Sequence, residues 1–166
     1  MSIECIQVLS MNPHFMARLI QSFLTGYGET CSIQDVSLCI PILYHEPARD
    51  KLVKARSDSR FESLFNHKIP LSNDRFLSGP SQLAGFYARY QFLLPKVKQA
   101  IIVGCADDIL VLCGDHYLRY TKVIRHTDKG LSASVAQWVK AAYYLGILFK
   151  KSTPEQISHF LEVDLT

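Results

Sequence analysis

Asn12-Pro13-His14-Phe15-Met16-Ala17-Arg18-Leu19-Ile20 begins a strong helix signal. Asn12 can cap a helix with its side-chain oxygen, and Pro13 suits the first turn, where a missing N–H costs nothing. Phe15, Leu19 and Phe23, with Met11 or Met16, then fall on one face at helical spacing. Gly26 and Gly28 are read as the stop. A second apolar run follows from Ser32 and Ile33 to Tyr44, closed by His45-Glu46-Pro47. These are packing elements without chemistry, so periodicity alone predicts a helical core and assigns no activity.

Downstream, Pro47 to Arg56 reads as a short helix, with proline at its first position and good helix formers behind it. Ser57-Asp58-Ser59 makes a turn, and Phe61, Leu64 and Phe65 form another short amphipathic piece. Ile69 to Pro80 is punctuated by Pro70, Asn73, Asp74, Gly79 and Pro80 and reads as a loop. From Ser81 the helical period returns through Leu83, Phe86, Tyr87, Tyr90 and Leu94, until Pro95 predicts a kink or a fresh start. Val97, Ile101 and Ile102 continue the pattern. The period then changes. Ile109 to Cys113 and His116 to Tyr120 predict two strands, with Gly114-Asp115 as a two-residue turn. After a polar loop over Lys122 to Gly130, a helix from about Ser132 to Lys150 is apolar nearly all round, which predicts the central helix of the core. Thr153-Pro154-Glu155-Gln156 has the pattern of a capping box and starts a last helix through Leu161. The expected fold is mainly α: one compact domain over residues 1–166, with one β-hairpin and a form open to a winged-helix reading.

Composition narrows the function classes. A chain of 166 residues can bury a real core, and 48% apolar content is slightly high, as if a partner covered part of the surface. The formal net charge of +3 is too small to argue for nucleic acid by itself. Cys5, Cys31, Cys39, Cys105 and Cys113 are odd in number, hold no CxxC pair and lie mainly in apolar runs. Cys39 and Cys113 read as small buried hydrophobes in a reducing cytoplasm. MSIECIQ lacks the basic segment of a signal peptide, and no apolar run reaches the roughly 18 residues needed to span a bilayer. A soluble cytoplasmic protein without a membrane partner is expected.

Catalytic patterns are missing from the sequence. It contains no GxxxxGK[ST] loop to cradle phosphates. His14, His45, His67, His116, His126 and His159 include no pair at the spacing of a zinc helix, and Cys113 near His116 is the one thiol–imidazole neighbourhood. Asp107-Asp108 sits at a helix-to-strand junction and reads as a solvated turn rather than a metal carboxylate pair. No enzyme activity, cofactor or metal is expected. The surface with a claim to binding is the basic stretch of Arg49, Lys51, Lys54, Arg56 and Arg60, interspersed with Asp50 and Asp58. A solvated helix face competes there with contact to DNA phosphates or an acidic partner.

Several of these elements together resemble the middle component of bacterial three-component ABC systems. The resemblance runs through the Asn12-Pro13 helix ending at Gly26-Tyr27 and through Ile40-Pro41-Ile42-Leu43-Tyr44-His45-Glu46-Pro47-Ala48-Arg49. It continues over Ser57 to Asn66 and over Gln82 to Val111 with Leu93-Leu94-Pro95. It closes with the helix around Ala141 to Phe149 and the Thr153-Pro154 helix; Ile69 to Gly79 falls outside it. The resemblance implies a non-enzymatic accessory subunit beside an SMC-like ABC ATPase and a nuclease-like effector, as in Lamassu-type antiphage and antiplasmid defence. DNA would be sensed through the complex. Tyr117, Tyr120, Tyr143 and Tyr144 are candidate anchors for such contacts, the last two being equally suited to a core. The alternative from the residues is a winged-helix-like DNA-binding or regulatory module with the hairpin as wing. Its would-be recognition helix, Lys96 to Cys105, lacks the side chains that read base edges beyond Lys96, Lys98 and Gln99.

Overall fold

The structure is a computed structural model that describes residues 11–65, 69–71, 75–77 and 83–162. The N-terminal MSIECIQ segment, Cys5 and His67 lie outside the described residues.

Helix α1 (Pro13–Tyr27) begins as its sequence predicts: the Asn12 side chain accepts the His14 N–H at 2.9 Å, and Pro13 fills the first turn. Gly28 ends it in the left-handed region (φ 82°), donating its N–H to the Leu24 carbonyl. Burial is not confined to one face. Met16, Ala17 and every residue from Leu19 to Leu24 are buried, so α1, rather than the later long helix, is the centre of the core. Phe15 is only partly buried and meets Trp138 edge-on.

Strand β1 (Cys31–Ser32) leads into α2 (Ile33–Leu43), capped by Ser32 and holding Pro41 inside it. Helix α3 (Glu46–Val53) is shorter than the sequence suggests, ending before Lys54, and α4 (Phe61–Phe65) follows. The expected loop contains a two-stranded antiparallel ribbon, β2 (Ile69–Leu71) and β3 (Arg75–Leu77), with Ile69 opposite Leu77. The turn residues between the strands dominate the sequence signal, while three-residue strands are too short to show alternation.

Helix α5 (Phe86–Ala106) starts five residues later than expected, after Gly85 at φ 73°, and passes through Pro95 without ending. Leu93, Val97 and Ala100 are buried on one side while Pro95 lies exposed on the other. Packing of that side holds the helix together despite the hydrogen bond that proline forfeits. Strands β4 (Leu110–Cys113) and β5 (Tyr117–Tyr120) form the expected hairpin, but through the three residues Gly114, Asp115 and His116, with Gly114 at φ 64°. Strand β1 adds to the far side of β5, with Cys31 opposite Leu118, giving the order β1-β5-β4. Two residues are too few to announce a strand in sequence.

Helix α6 (Ala133–Lys151) is capped by Ser132, and α7 (Pro154–Leu161) by the predicted capping box, in which Thr153 and Gln156 bond each other's backbone N–H. Helix, strand, helix, then a third helix and a hairpin joined to the first strand is the connectivity of a winged helix. Here residues 44–85 are inserted between its second and third helices. One continuous core joins helices α1 to α7 and the three-stranded sheet. Phe61 ties the insertion to it, with its ring 4.8 Å from Phe65, 5.3 Å from Phe160 and 6.0 Å from Phe149.

Glycine decides the central crossing. Gly26 lies inside α1, not at its end, and a Cβ there would collide with the Tyr143 carbonyl of α6. Gly146 does the reciprocal work, since a Cβ on it would strike the Phe23 carbonyl and lie 2.7 Å from the Tyr27 nitrogen. The two backbones touch at both points. Ser22, fully buried, spans the same interface by donating to the Val139 carbonyl at 2.7 Å.

Candidate functional site

The basic stretch of the insertion divides into two groups. Arg49 lies flat on the Trp138 ring, 4.0 Å from its centroid, and donates to the Leu43 carbonyl at 3.0 Å. Trp138 is also 5.1 Å from Tyr44, so Arg49 completes a packed aromatic cluster. Lys51 is partly buried, donates to the Leu64 carbonyl at 3.3 Å, and has its ammonium pushed below the ordinary lysine value by burial. Lys54, Arg56 and Arg60 are exposed. The structure therefore leaves three of the five candidate cations facing solvent and uses two as struts.

Other sequence candidates settle into structural roles. Asp107 caps α5 and accepts a hydrogen bond from the His14 imidazole at 2.8 Å, while Asp108 occupies the left-handed region at φ 55°. Lys150 and Lys151 occupy the last turn of α6, where they complement the helix dipole; Lys150 also pairs with Glu29 at 2.9 Å and Lys151 donates to the Ser57 carbonyl. Burial pushes the Cys31 and Cys39 thiols far above their usual range, keeping them protonated and unreactive. Cys113 is half-buried rather than enclosed. Among the described residues, no group of three or more His, Cys, Asp or Glu side chains is arranged to hold a metal ion. Nor is any helix among them long and apolar enough to cross a membrane.

A different surface stands out. The outer side of α5 exposes Phe92 (72%) and Ile102 (68%), and its first turn exposes Tyr87. Ala88, Pro95 and Ala106 are exposed at helical spacing with them, and Gln99 falls among them, so this face is an apolar stripe interrupted by one amide. On the hairpin, Val111, Leu112 and Tyr117 are also exposed. Strand β4 is an edge of the three-stranded sheet. Of the proposed tyrosine anchors, Tyr117 is exposed, whereas Tyr120, Tyr143 and Tyr144 are half-buried. The helical pattern read from sequence included Tyr87 and Ile102, which the structure exposes, and passed over Phe92; the core takes Leu93, Val97 and Ala100 instead, so the outward apolar residues become distinct only once the buried side is known.

Residues 3–165 match the family described as the ABC-three component (ABC-3C) system Middle Component 3. The chain belongs to this family. Membership implies an accessory subunit that partners an ABC ATPase and the remaining component of the system. No curated protein and no solved structure matches it.

Proposed function

We propose that the protein is a non-enzymatic adaptor that docks on the head region of an SMC-like ABC ATPase and couples it to a nuclease-like effector. It would do so in the cytoplasm, in a Lamassu-type antiphage and antiplasmid defence complex, with DNA sensed through the complex. The exposed apolar face of α5 is the observation that carries this reading. Phe92 and Ile102 cost free energy in water and gain it when a partner covers them, at roughly 25 cal/mol for each Å² buried. Family membership supplies the class of partner.

Affinity capture of the tagged protein from its native host, with mass spectrometry of what co-purifies, tests the reading. Recovery of an SMC-like ATPase with a nuclease-like protein supports it, and the double change Phe92→Asp with Ile102→Asp should then abolish capture. Recovery of neither overturns it.

The winged-helix connectivity favours a second reading, a regulatory module that binds duplex DNA without an ATPase. The third helix of that arrangement exposes Phe92, Pro95 and Ile102 beside Gln91, Lys96, Lys98 and Gln99, a mixed surface with no arginine or asparagine among its outward residues. This second reading requires duplex binding by the isolated chain that charge reversal at Lys54, Arg56 and Arg60 removes.

A further inference from the structure

We infer that residues 119–129, together with the tyrosine cleft beside them, form a binding site for single-stranded nucleic acid. The segment carries Arg119, Lys122, Arg125 and Lys129 against the single carboxylate of Asp128, a charge of +3 that equals the formal net charge of the whole chain. All four cations are exposed. Among the described residues the ion pairs are His14–Asp107 and Lys150–Glu29, so none of the four is neutralised by a carboxylate there. Asp128 is engaged with the segment's own backbone, accepting the Arg125 N–H at 2.8 Å.

The backbone carrying these charges is pinned. The Thr121 N–H donates to Ile109 at 3.1 Å, and its hydroxyl donates to the Asp108 carbonyl. Gln21, a buried side chain of α1, donates its amide to the Lys122 carbonyl at 2.8 Å. A polar group buried in the central helix thus holds a surface loop in place, which lowers the ordering cost of binding there. Behind the loop, Tyr120, Tyr143 and Tyr144 line a cleft of about 440 Å³ with Val123, Arg125 and His126. Tyr120 also lines the adjoining cleft that holds Arg119, where Glu29 is already paired with Lys150. Lys140 lies 6.0 Å from the Tyr144 ring centroid.

Cations on a strand end and the loop anchored to it at Thr121 and Lys122, with half-buried aromatic rings lining a cleft behind them, match a ligand that carries regular negative charge and flat rings. A base reaches a recessed tyrosine only when it is free of its own duplex stack, which selects a single strand. An acidic peptide would satisfy the cations and leave the cleft empty. The site is separate from the apolar face of α5, and its test needs no partner protein.

The test is fluorescence anisotropy of the full-length chain with labelled oligothymidylate, with a duplex of the same length, and with polyglutamate as competitor, over a series of salt concentrations. The single strand should bind more tightly than the duplex, with affinity falling steeply as salt rises. Arg119→Glu with Arg125→Glu should weaken binding at least about tenfold and flatten the log–log salt slope by about 2. Tyr144→Ala should weaken it by about tenfold while Tyr144→Phe retains it, as stacking requires. Thermal melts of each variant separate loss of the site from loss of the fold. Absence of binding, equal affinity for the duplex, or displacement by polyglutamate as effective as by the unlabelled single strand would overturn the inference. So would loss of binding on reversing Lys54, Arg56 and Arg60 with none on reversing Arg119 and Arg125.

Discussion

The α1–α6 crossing and the outer face of α5 are both apolar in sequence, and the structure treats them oppositely. At the crossing, Gly26 and Gly146 let two backbones touch, Ser22 satisfies its hydroxyl on Val139, and Phe23 packs edge-on to Phe149 at 5.3 Å. On α5, Phe92 and Ile102 face water. The difference teaches that hydrophobic content does not locate stability in this protein. Close approach does, and close approach depends on where side chains are missing.

The largest effect should come from breaking the crossing. Gly26→Ala or Gly146→Ala places a methyl group against backbone that cannot step aside, and we expect a loss of about 3 kcal/mol or more, measured by denaturant unfolding. Equal stability of either variant would show that the helices separate freely. Gly104→Ala sharpens the point. Its added Cβ would meet the Leu110 side chain at 2.5 Å, and a side-chain end can rotate where a carbonyl cannot. Its cost should be about 1–2 kcal/mol. Ser22→Ala should cost about 1 kcal/mol, because the Val139 carbonyl already has its helical partner and loses only the second bond.

A smaller, pH-dependent effect lies where α3 approaches α5. Burial, aided by the Arg89 guanidinium, pushes the His45 imidazole below its ordinary 6.5. Its Nδ1 is buried and has no hydrogen-bond partner among the described residues. The unfolded chain therefore takes up the proton first as pH falls, and stability should decline as pH drops through 6.5 toward the lower folded value. Thermal melts across that window should show the decline. His45→Asn, which removes the proton site and offers a helix cap, should flatten it. Smallest of all should be the effect of Phe92→Asp with Ile102→Asp on unfolding, within about 0.5 kcal/mol despite the loss of two large apolar side chains. A large destabilisation would mean that α5 belongs to the core on both sides.

Local signals made much of the fold legible. The Asn12 cap, the Thr153 capping box, the hairpin and the order of helices all follow from residues within a few positions of one another. Such caps and turns act over one turn of chain, so sequence carries them directly. The candidate site was less legible. Arg49 and Lys54 look alike in the chain, yet only the folded arrangement brings Trp138 beneath Arg49. Lys122 to Gly130 reads as an ordinary polar loop after a strand until Gln21 and the α6 tyrosines are beside it.

The mainly helical class, the Asn12 and Thr153 caps and the family to which the chain belongs are all present in the order of amino acids. That α1 is the central helix, that Gly26 spaces a crossing instead of ending a helix, and that β1 joins the hairpin emerge only once the chain is folded. The physical reason is range. Caps and periodicity are set within one or two turns, whereas burial and close approach are properties of residues more than a hundred positions apart, such as Ser22 and Val139.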